Sequence, residues 1–395
     1  MRIIYLHQYF NSPSMSGGSR SYQMAKRLVG WGHEVHMITS SKKIGAKRIE
    51  LIDGINVHWI PESYSNAMEY SDRLRAFFSF AFKATKECKG LQADIVFATS
   101  TPLTIILPAF YISKVLKIPY VFEVRDLWPQ LPIAIGALKN PIVKWLAKKV
   151  EIFAYRNAKH VIALSPGMAE GVLPFNPNIT VIPNSSDIHE FRYDEAKEKM
   201  FRKKYPELGN ANFGLYAGTF GLINGVDYLV DLAVELKEKA PNFKIVAIGQ
   251  GYEWAKVKEY AELQGVLGKN LFIYSALPKI DIVNAFSAAS FGFSLFIELE
   301  EMEANSANKF FDTLAASIPA LINYGGWQKE LLRTTNSGLV LDRDVKLAAF
   351  QICEILNDKK RYEDMAANAG RLASKQFDRD KLAVKLESVL TSSIL

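Results

Sequence analysis

The most constraining feature of this chain is an alternation, carried through twice, of short unbroken apolar runs with longer stretches of helical spacing. The runs are RIIYL, EVHMITS, INVHWIP, DIVFATS, PYVFEVR, HVIALS and ITVIPNS in the first half, and NFGLYAG, FKIVAIG, NLFIYSA, FGFSLF, PALINY and SGLVLD in the second. Helical stretches lie between most of them, among them 19–31, 67–89, 103–116 and 141–157. A run apolar at nearly every position suits a strand covered on both faces. Such strands alternating with helices predict an α/β fold built on parallel sheets. The 395 residues exceed one ordinary core. The polar, charge-dense segment between Asn184 and Asn212 separates two complete strand–helix series. The expected organisation is one Rossmann-like doubly wound domain over 1–184, a connection over 185–211, and a second such domain over 212–376. The amphipathic helix 377–395 is expected to pack back on the first domain.

Charge and cysteine content narrow the function classes. The net charge is +7, and residues 1–190 hold 22 Lys/Arg against 14 Asp/Glu, so the first half is the basic one. Phosphate-bearing substrates and anionic lipid suit that balance. No nucleic-acid-binding signature accompanies it. Cys88 and Cys353 are the only cysteines, which excludes a disulfide framework and a thiolate metal site. The six histidines show no ligand spacing, so no metal is expected. The D-x-D of Asp378-Arg379-Asp380 opens the terminal helix and suits a cap. MRIIYLHQYF lacks the long apolar run of a signal peptide. The longest uncharged run, 95–113, holds Pro102 and Pro108 and fits a strand followed by a helix. A cytoplasmic location is expected.

Ligands of open parallel sheets sit beyond the carboxyl ends of strands. The segments there are HQYFNSPSMSGG, DLWPQLP, TFGLING, QGYE, LPKID and IELEEMEANSANKFFDTLAASIP. Gly17 and Gly18 fit either a tight turn or a close approach of backbone N–H groups to a phosphate. Gly249-Gln250-Gly251 has G-x-G form without the third glycine of a dinucleotide fingerprint, and alone it is a turn. Glu123 shares a strand face with Arg125. Arg125 could pair with Glu123 or Asp126, or could face a ligand. His7, ending the first strand, fits a ligand-facing group or a satisfied half-buried histidine.

Taken in order, these motifs resemble retaining glycosyltransferases of the GT-B fold, family GT4. The carrying residues are the Gly-Gly loop before SYQMAKRLVGWGHEVHMITS, then EVRDLWP, VIPNSSD, YAGTFGLINGVDYLVDLA, IVAIGQG and SANKFFDTLAASIPAL. The similarity is to the O-antigen and capsule branch that includes L-fucosamine (FucNAc) transferases. It implies two domains facing a cleft, a nucleotide-sugar donor that is UDP-linked, a lipid-linked saccharide acceptor, and no cofactor or metal. It also implies an acceptor-binding first domain, with His7 and Glu123 as candidates, and a donor-binding second domain.

The resemblance assigns the donor to Gly17, Gly18, Gly218, Thr219, Phe220, Asn224, Gly249, Gln250, Gly251, Ala276, Leu277, Asn305, Ser306, Ala307, Asn308 and Asp312. The catalytic set is Arg125, Asp126, Glu303 and Lys309. Two departures matter. The first of the family's two glutamates falls on Ala304, leaving Glu303 by a one-residue shift, or backbone N–H groups of 305–308, to take its place. Asp312 takes the second place, on the ribose hydroxyls. The family's basic residues are missing from TFGLING, so Lys309, with Arg125 as a second candidate, is expected to compensate the diphosphate. Solvated acidic surface is the competing reading of Glu303, as of Glu298, Glu300 and Glu301.

The rivals are a nicotinamide-dependent oxidoreductase, which lacks its glycine fingerprint here, and a two-lobed sugar-binding protein. The stretch SDRLRAFFSFAFKATKECKG sets Phe77, Phe78, Phe80 and Phe82 beside Arg73, Arg75, Lys83, Lys86 and Lys89. It suits an anionic membrane surface, or a core helix with a basic outer face.

Overall fold

A computed structural model describes residues 1–13, 15, 18–41, 45, 47–62, 68, 70–126 and 128–394. The chain divides into two compact units, Met1–Pro183 with Asp380–Leu395, and Asn184–Arg379. The first is built on an eight-stranded sheet of β1 (Arg2–Leu6), β2 (Glu34–Ser41), β3 (Arg48–Ile52), β4 (Ile55–Pro61), β5 (Ile95–Thr99), β6 (Tyr120–Val124), β7 (His160–Ala163) and β8 (Ile179–Val181). Their order is β3-β4-β2-β1-β5-β6-β7-β8, and every pair but β3 with β4 is parallel. Successive residues of β5 enter opposite cores. Ile95 and Phe97 pack with the helix Arg20–Gly30 and the terminal helix, whereas Val96 and Ala98 pack with Phe80, Ile106 and Ala154. Both faces are covered, hence the unbroken apolar runs. Leu382, Ala383, Leu386 and Leu390 of the helix Arg379–Ser392 sit in the first unit's core.

Strand β3 is absent from the sequence reading. Its first four residues are exposed, so it carries no apolar run. The signal was the Asp53-Gly54 pair between Ile52 and Ile55. Both residues have positive φ, 47° and 81°, as a two-residue hairpin turn requires.

The second sheet holds β9 (Asn212–Thr219), β10 (Phe243–Gln250), β11 (Leu271–Tyr274), β12 (Phe291–Ser294), β13 (Ala320–Ile322) and β14 (Gly338–Val340). It is wholly parallel, in the order β11-β10-β9-β12-β13-β14. That order is the doubly wound one of the Rossmann type. The segment 185–211 is not a separate connection. It belongs to the second unit, where the helix Glu195–Lys204 buries Phe201 and Arg202 donates to the Ala288 carbonyl at 3.2 Å.

Candidate active site

In the second sheet the order reverses between β9 and β12, and ligands of such sheets sit beyond the strand ends at the reversal. Lys309 lies here, on the first turn of the helix Asn308–Ala315. Its ammonium stands 5.1 Å from the ring centre of Tyr216, on β9, and 4.9 Å from that of Phe296, just past β12. With the Asn224 amide turned so that its oxygen faces this ammonium, Nζ donates to it at 3.2 Å, and the amide nitrogen donates to the Thr219 carbonyl at 3.0 Å. The Tyr216 hydroxyl donates to the same carbonyl at 2.7 Å. A Cβ on Gly218 would come to 3.3 Å of the Tyr216 ring and 3.6 Å of the Lys309 stem. Burial pushes the Lys309 ammonium down to about 8, and no neighbouring carboxylate offsets the effect. Among the described residues it forms no ion pair, and a buried cation without a counter-ion is costly.

Asp312 lies one turn further along the same helix. Its Oδ1 accepts from the Ser186 hydroxyl at 2.6 Å. Burial raises its carboxyl to about 6, against the opposing influence of the Ser186 bond and of the Arg379 and Lys279 charges. Arg379 itself bonds the Asp187 carboxylate and the Ser185 carbonyl.

The loop before this helix uses part of its own donor capacity. The Asn305 amide N–H bonds the Met302 carbonyl at 3.1 Å, and the Ala307 N–H bonds Asn305 Oδ1 at 3.1 Å. These two N–H groups are therefore not open to a phosphate, which corrects the expectation for Asn305 and Ala307. The Asn305 carbonyl accepts from Trp327 Nε1 at 2.8 Å. Ser306 is tied to Asn184, whose N–H donates to its hydroxyl at 3.0 Å and whose side-chain amide donates to its carbonyl. Asn308 opens the helix, where leading N–H groups lack intrahelical partners. Glu303 is exposed; its carboxylate lies against Gly325 and its backbone carbonyl against Gly326, at the start of the helix Trp327–Thr335. A Cβ on Gly325 would meet Glu303 Oε1 at 2.3 Å, so any larger residue there would displace this carboxylate. Glu298, Glu300 and Glu301 are exposed.

Phe220 is a core residue, not a ligand contact. Its ring is fully buried edge-on to Tyr216, and its N–H bonds the Gln250 carbonyl at 3.0 Å. Gly249 and Gly251 are demanded by packing. A Cβ on Gly249 would lie 1.8 Å from the Gly218 carbonyl oxygen, and one on Gly251, whose φ is +155°, would lie 2.3 Å from that of Phe220. Gln250 is exposed. Ala276 and Leu277, exposed and half-buried, follow the edge strand β11.

The first sheet reverses between β1 and β5. His7 follows β1 and is buried, with one ring nitrogen 2.7 Å from the Ser21 hydroxyl and Nε2 3.1 Å from an Arg125 guanidinium nitrogen. Arginine can only donate, so Nε2 accepts and Nδ1–H donates to Ser21. Burial, reinforced by the Arg125 charge, holds the imidazole well below the usual histidine range, hence neutral. The Arg125 N–H bonds the Ser100 hydroxyl at 3.0 Å, and the exposed Asp126 accepts from the Thr101 hydroxyl at 3.2 Å. Glu123 is neither a partner of Arg125 nor a ligand-facing group. It is buried and accepts from Arg20 Nε and Nη2 at 3.1 and 2.9 Å, and from the Thr99 hydroxyl. Arg20 also bonds the Ile182 and Pro183 carbonyls. Gly18 is exposed, and Gly17 lies outside the described residues.

Tyr216, Phe296 and Ser186 were missed by sequence reasoning. The first two sit in unbroken apolar runs that signal only a core, although Phe296 lies two residues past the end of β12. Among the described residues, no group of three His, Cys, Asp or Glu could hold a metal ion.

Comparison with known proteins places this geometry in a family. Residues 17–185 match the model of the glycosyl transferase 4-like domain, and residues 197–372 match that of the glycosyl transferases group 1. A GDP-mannose-dependent alpha-(1-6)-phosphatidylinositol monomannoside mannosyltransferase of Mycobacterium tuberculosis is 24% identical over 301 residues, 74% of each chain. The fold matches a sucrose-phosphate synthase from Thermosynechococcus elongatus with a TM-score of 0.81 at 14% identity, over 99% of this chain and 98% of that one. It also matches HepE of Anabaena, solved with UDP and glucose, with a TM-score of 0.74 at 15% identity, over 99% of this chain and all of that one. The two family models together span most of the sequence, and the chain belongs to the GT4 family of glycosyltransferases, with the GT-B fold.

Proposed function

We propose that the protein is a retaining, metal-independent glycosyltransferase. It moves a sugar from a UDP-linked donor to a lipid-linked saccharide in the biosynthesis of a surface polysaccharide such as O-antigen or capsule. An N-acetylated amino sugar such as FucNAc is the proposed cargo, on the resemblance of the motifs. The observation that carries the reading is Lys309, a buried ammonium with no carboxylate partner among the described residues, at the switch point of a doubly wound sheet. A site built this way is completed by an anion. The diphosphate of a nucleotide sugar supplies one, joined by the leading N–H groups of the helix Asn308–Ala315.

Lys309 and these N–H groups stabilise the charge that grows on the leaving diphosphate as the glycosidic bond breaks. A diphosphate oxygen takes the acceptor's proton in a front-face displacement. Asp312 accepts from the ribose hydroxyls, and its partly buried carboxyl next to Ser186 is suited to that. The first unit, with its excess of basic residues, takes the acceptor, and Arg125, oriented by neutral His7, is its candidate anion contact. Relatives support different bases, since HepE was solved with UDP and the mycobacterial enzyme is GDP-mannose-dependent. Calorimetric titration with UDP, GDP and NAD tests the reading. UDP binding with hydrolysis of a UDP-sugar supports it, GDP alone corrects the base, and NAD binding without either overturns it.

A further inference from the structure

Helix Pro141–Asn157 buries Glu151, Ala154 and Tyr155 against the first unit and turns a second apolar stripe outward. Ile142, Trp145 and Leu146 are 67%, 60% and 49% exposed, and Phe153 continues the stripe. Their spacing puts them on one side of the helix. An amphipathic helix that only covers a sheet would place polar residues there.

The stripe continues onto neighbouring helices. The Phe153 ring meets that of Phe110, on the helix Ile106–Val115, at 4.5 Å. Leu107 and Val115 of that helix are exposed. Beyond it, Lys89 stands 4.6 Å from the Tyr111 ring, next to the helix Tyr70–Cys88, whose Phe78 and Phe82 are 56% and 76% exposed. Of the phenylalanines expected to face a membrane on that last helix, Phe80 is fully buried in the core. Its Lys83 is tied to Glu62 at 2.8 Å.

On helices 106–115 and 141–157 the charges beside the stripe are of one sign, whereas helix 70–88 also carries the exposed Asp72, 3.8 Å from Arg75. Lys114, Lys117, Lys139, Lys149 and Arg156 lie on or next to the two helices 106–115 and 141–157. The only acid on those helices, Glu151, is buried and paired with Lys148 at 2.6 Å. A folded protein partner would need a complementary acidic and apolar surface, whereas an anionic bilayer offers both features everywhere. Tryptophan and long cationic side chains with apolar stems also suit the headgroup level.

We infer that the outer face of helix 141–157, with its neighbours 106–115 and 70–88, is a docking surface for an anionic lipid bilayer. Ile142, Trp145 and Leu146 enter the interface, and the surrounding lysines hold the headgroups. The inference deepens the proposed use of a lipid-linked acceptor and rests on that reading for its purpose, but not for its test.

The test is co-sedimentation of the full-length protein with vesicles of phosphatidylcholine alone, or mixed with phosphatidylglycerol. Binding should require the anionic lipid and fall steeply with salt. Ile142, Trp145 and Leu146 changed together to Ser should cut partitioning by about tenfold or more. Lys149→Gln with Arg156→Gln should cut it by about fivefold per charge. Anionic vesicles should blue-shift the tryptophan emission of the parent but not of Trp145→Phe. UDP affinity, measured on the same variants, should be unchanged. Equal vesicle binding by the triple variant, or none by the parent, overturns the docking surface while leaving the donor site intact. Vesicle binding without UDP binding overturns the donor reading alone. A parent dimer that the triple variant converts to monomer, by sedimentation equilibrium, assigns the face to self-association and also overturns the inference.

Discussion

Replacing Lys309 with methionine should stabilise the protein while it weakens nucleotide binding. The ammonium is held in its aromatic cage at a folded-state value of about 8, against 10.5 for an ordinary lysine. At about 1.4 kcal/mol per pH unit, keeping it charged near neutral pH costs on the order of 3 kcal/mol. Its contacts with the Tyr216 and Phe296 rings return about 1–2 kcal/mol. Methionine has nearly the same length and packs well on aromatic rings, so the unliganded variant should gain about 1–2 kcal/mol. For a unit of this size that is a rise of a few degrees in Tm, about 2–4 °C per kcal/mol. Without a cation to face the diphosphate, UDP affinity should fall by about thirtyfold or more, as when one partner of a buried charge pair is removed. The pH dependence follows in sign. The folded lysine loses its proton before the unfolded one does, so the stability that this group withholds at neutral pH is regained as pH rises from about 8 towards 10.5. Binding that needs the ammonium should weaken by up to about tenfold per unit above pH 8, and the methionine variant should lose that dependence. Differential scanning calorimetry and titration calorimetry across this range read both effects. A lower Tm, or UDP affinity within about twofold of the parent, would refute the argument that Lys309 is a strained counter-ion for the diphosphate.

Asp312→Ala should weaken UDP binding about tenfold or more through loss of a charged acceptor, with no drop in Tm; unchanged affinity removes Asp312 from the donor site. Glu123→Gln should destabilise the first unit by about 3–5 kcal/mol in denaturant titrations, because it removes the buried carboxylate that Arg20 Nε and Nη2 bond; a near-neutral result would mean that the pair is not structural. Transfer activity should survive dialysis against EDTA, and a loss restored by a divalent cation would rule out a metal-free mechanism.

The sequence by itself determined the layout. Unbroken apolar runs between helical stretches mark parallel strands covered on both faces, and the series occurs twice, so two doubly wound units follow from local pattern alone. It also pointed to the segments past the strand ends, where ligands of such sheets sit, and the candidate residues His7, Arg125, Lys309 and Asp312 all lie in those segments. The hairpin β3–β4 was equally legible in Asp53-Gly54, had an exposed strand been sought beside that turn.

Only the tertiary structure decided which groups meet. Arg20 and Glu123 are 103 residues apart, and nothing in either neighbourhood marks them as partners. The contact comes from the sheet order, which sets β6 two strands from β1, next to the start of the helix that follows β1. Lys309 gains its character the same way. Its rings come from β9 and from the loop after β12, strands adjacent in the sheet but separated by two others, β10 and β11, along the chain. The outward stripe on helix 141–157 needed the fold as well. Periodicity shows two apolar sides on that helix, and only packing decides which one is buried.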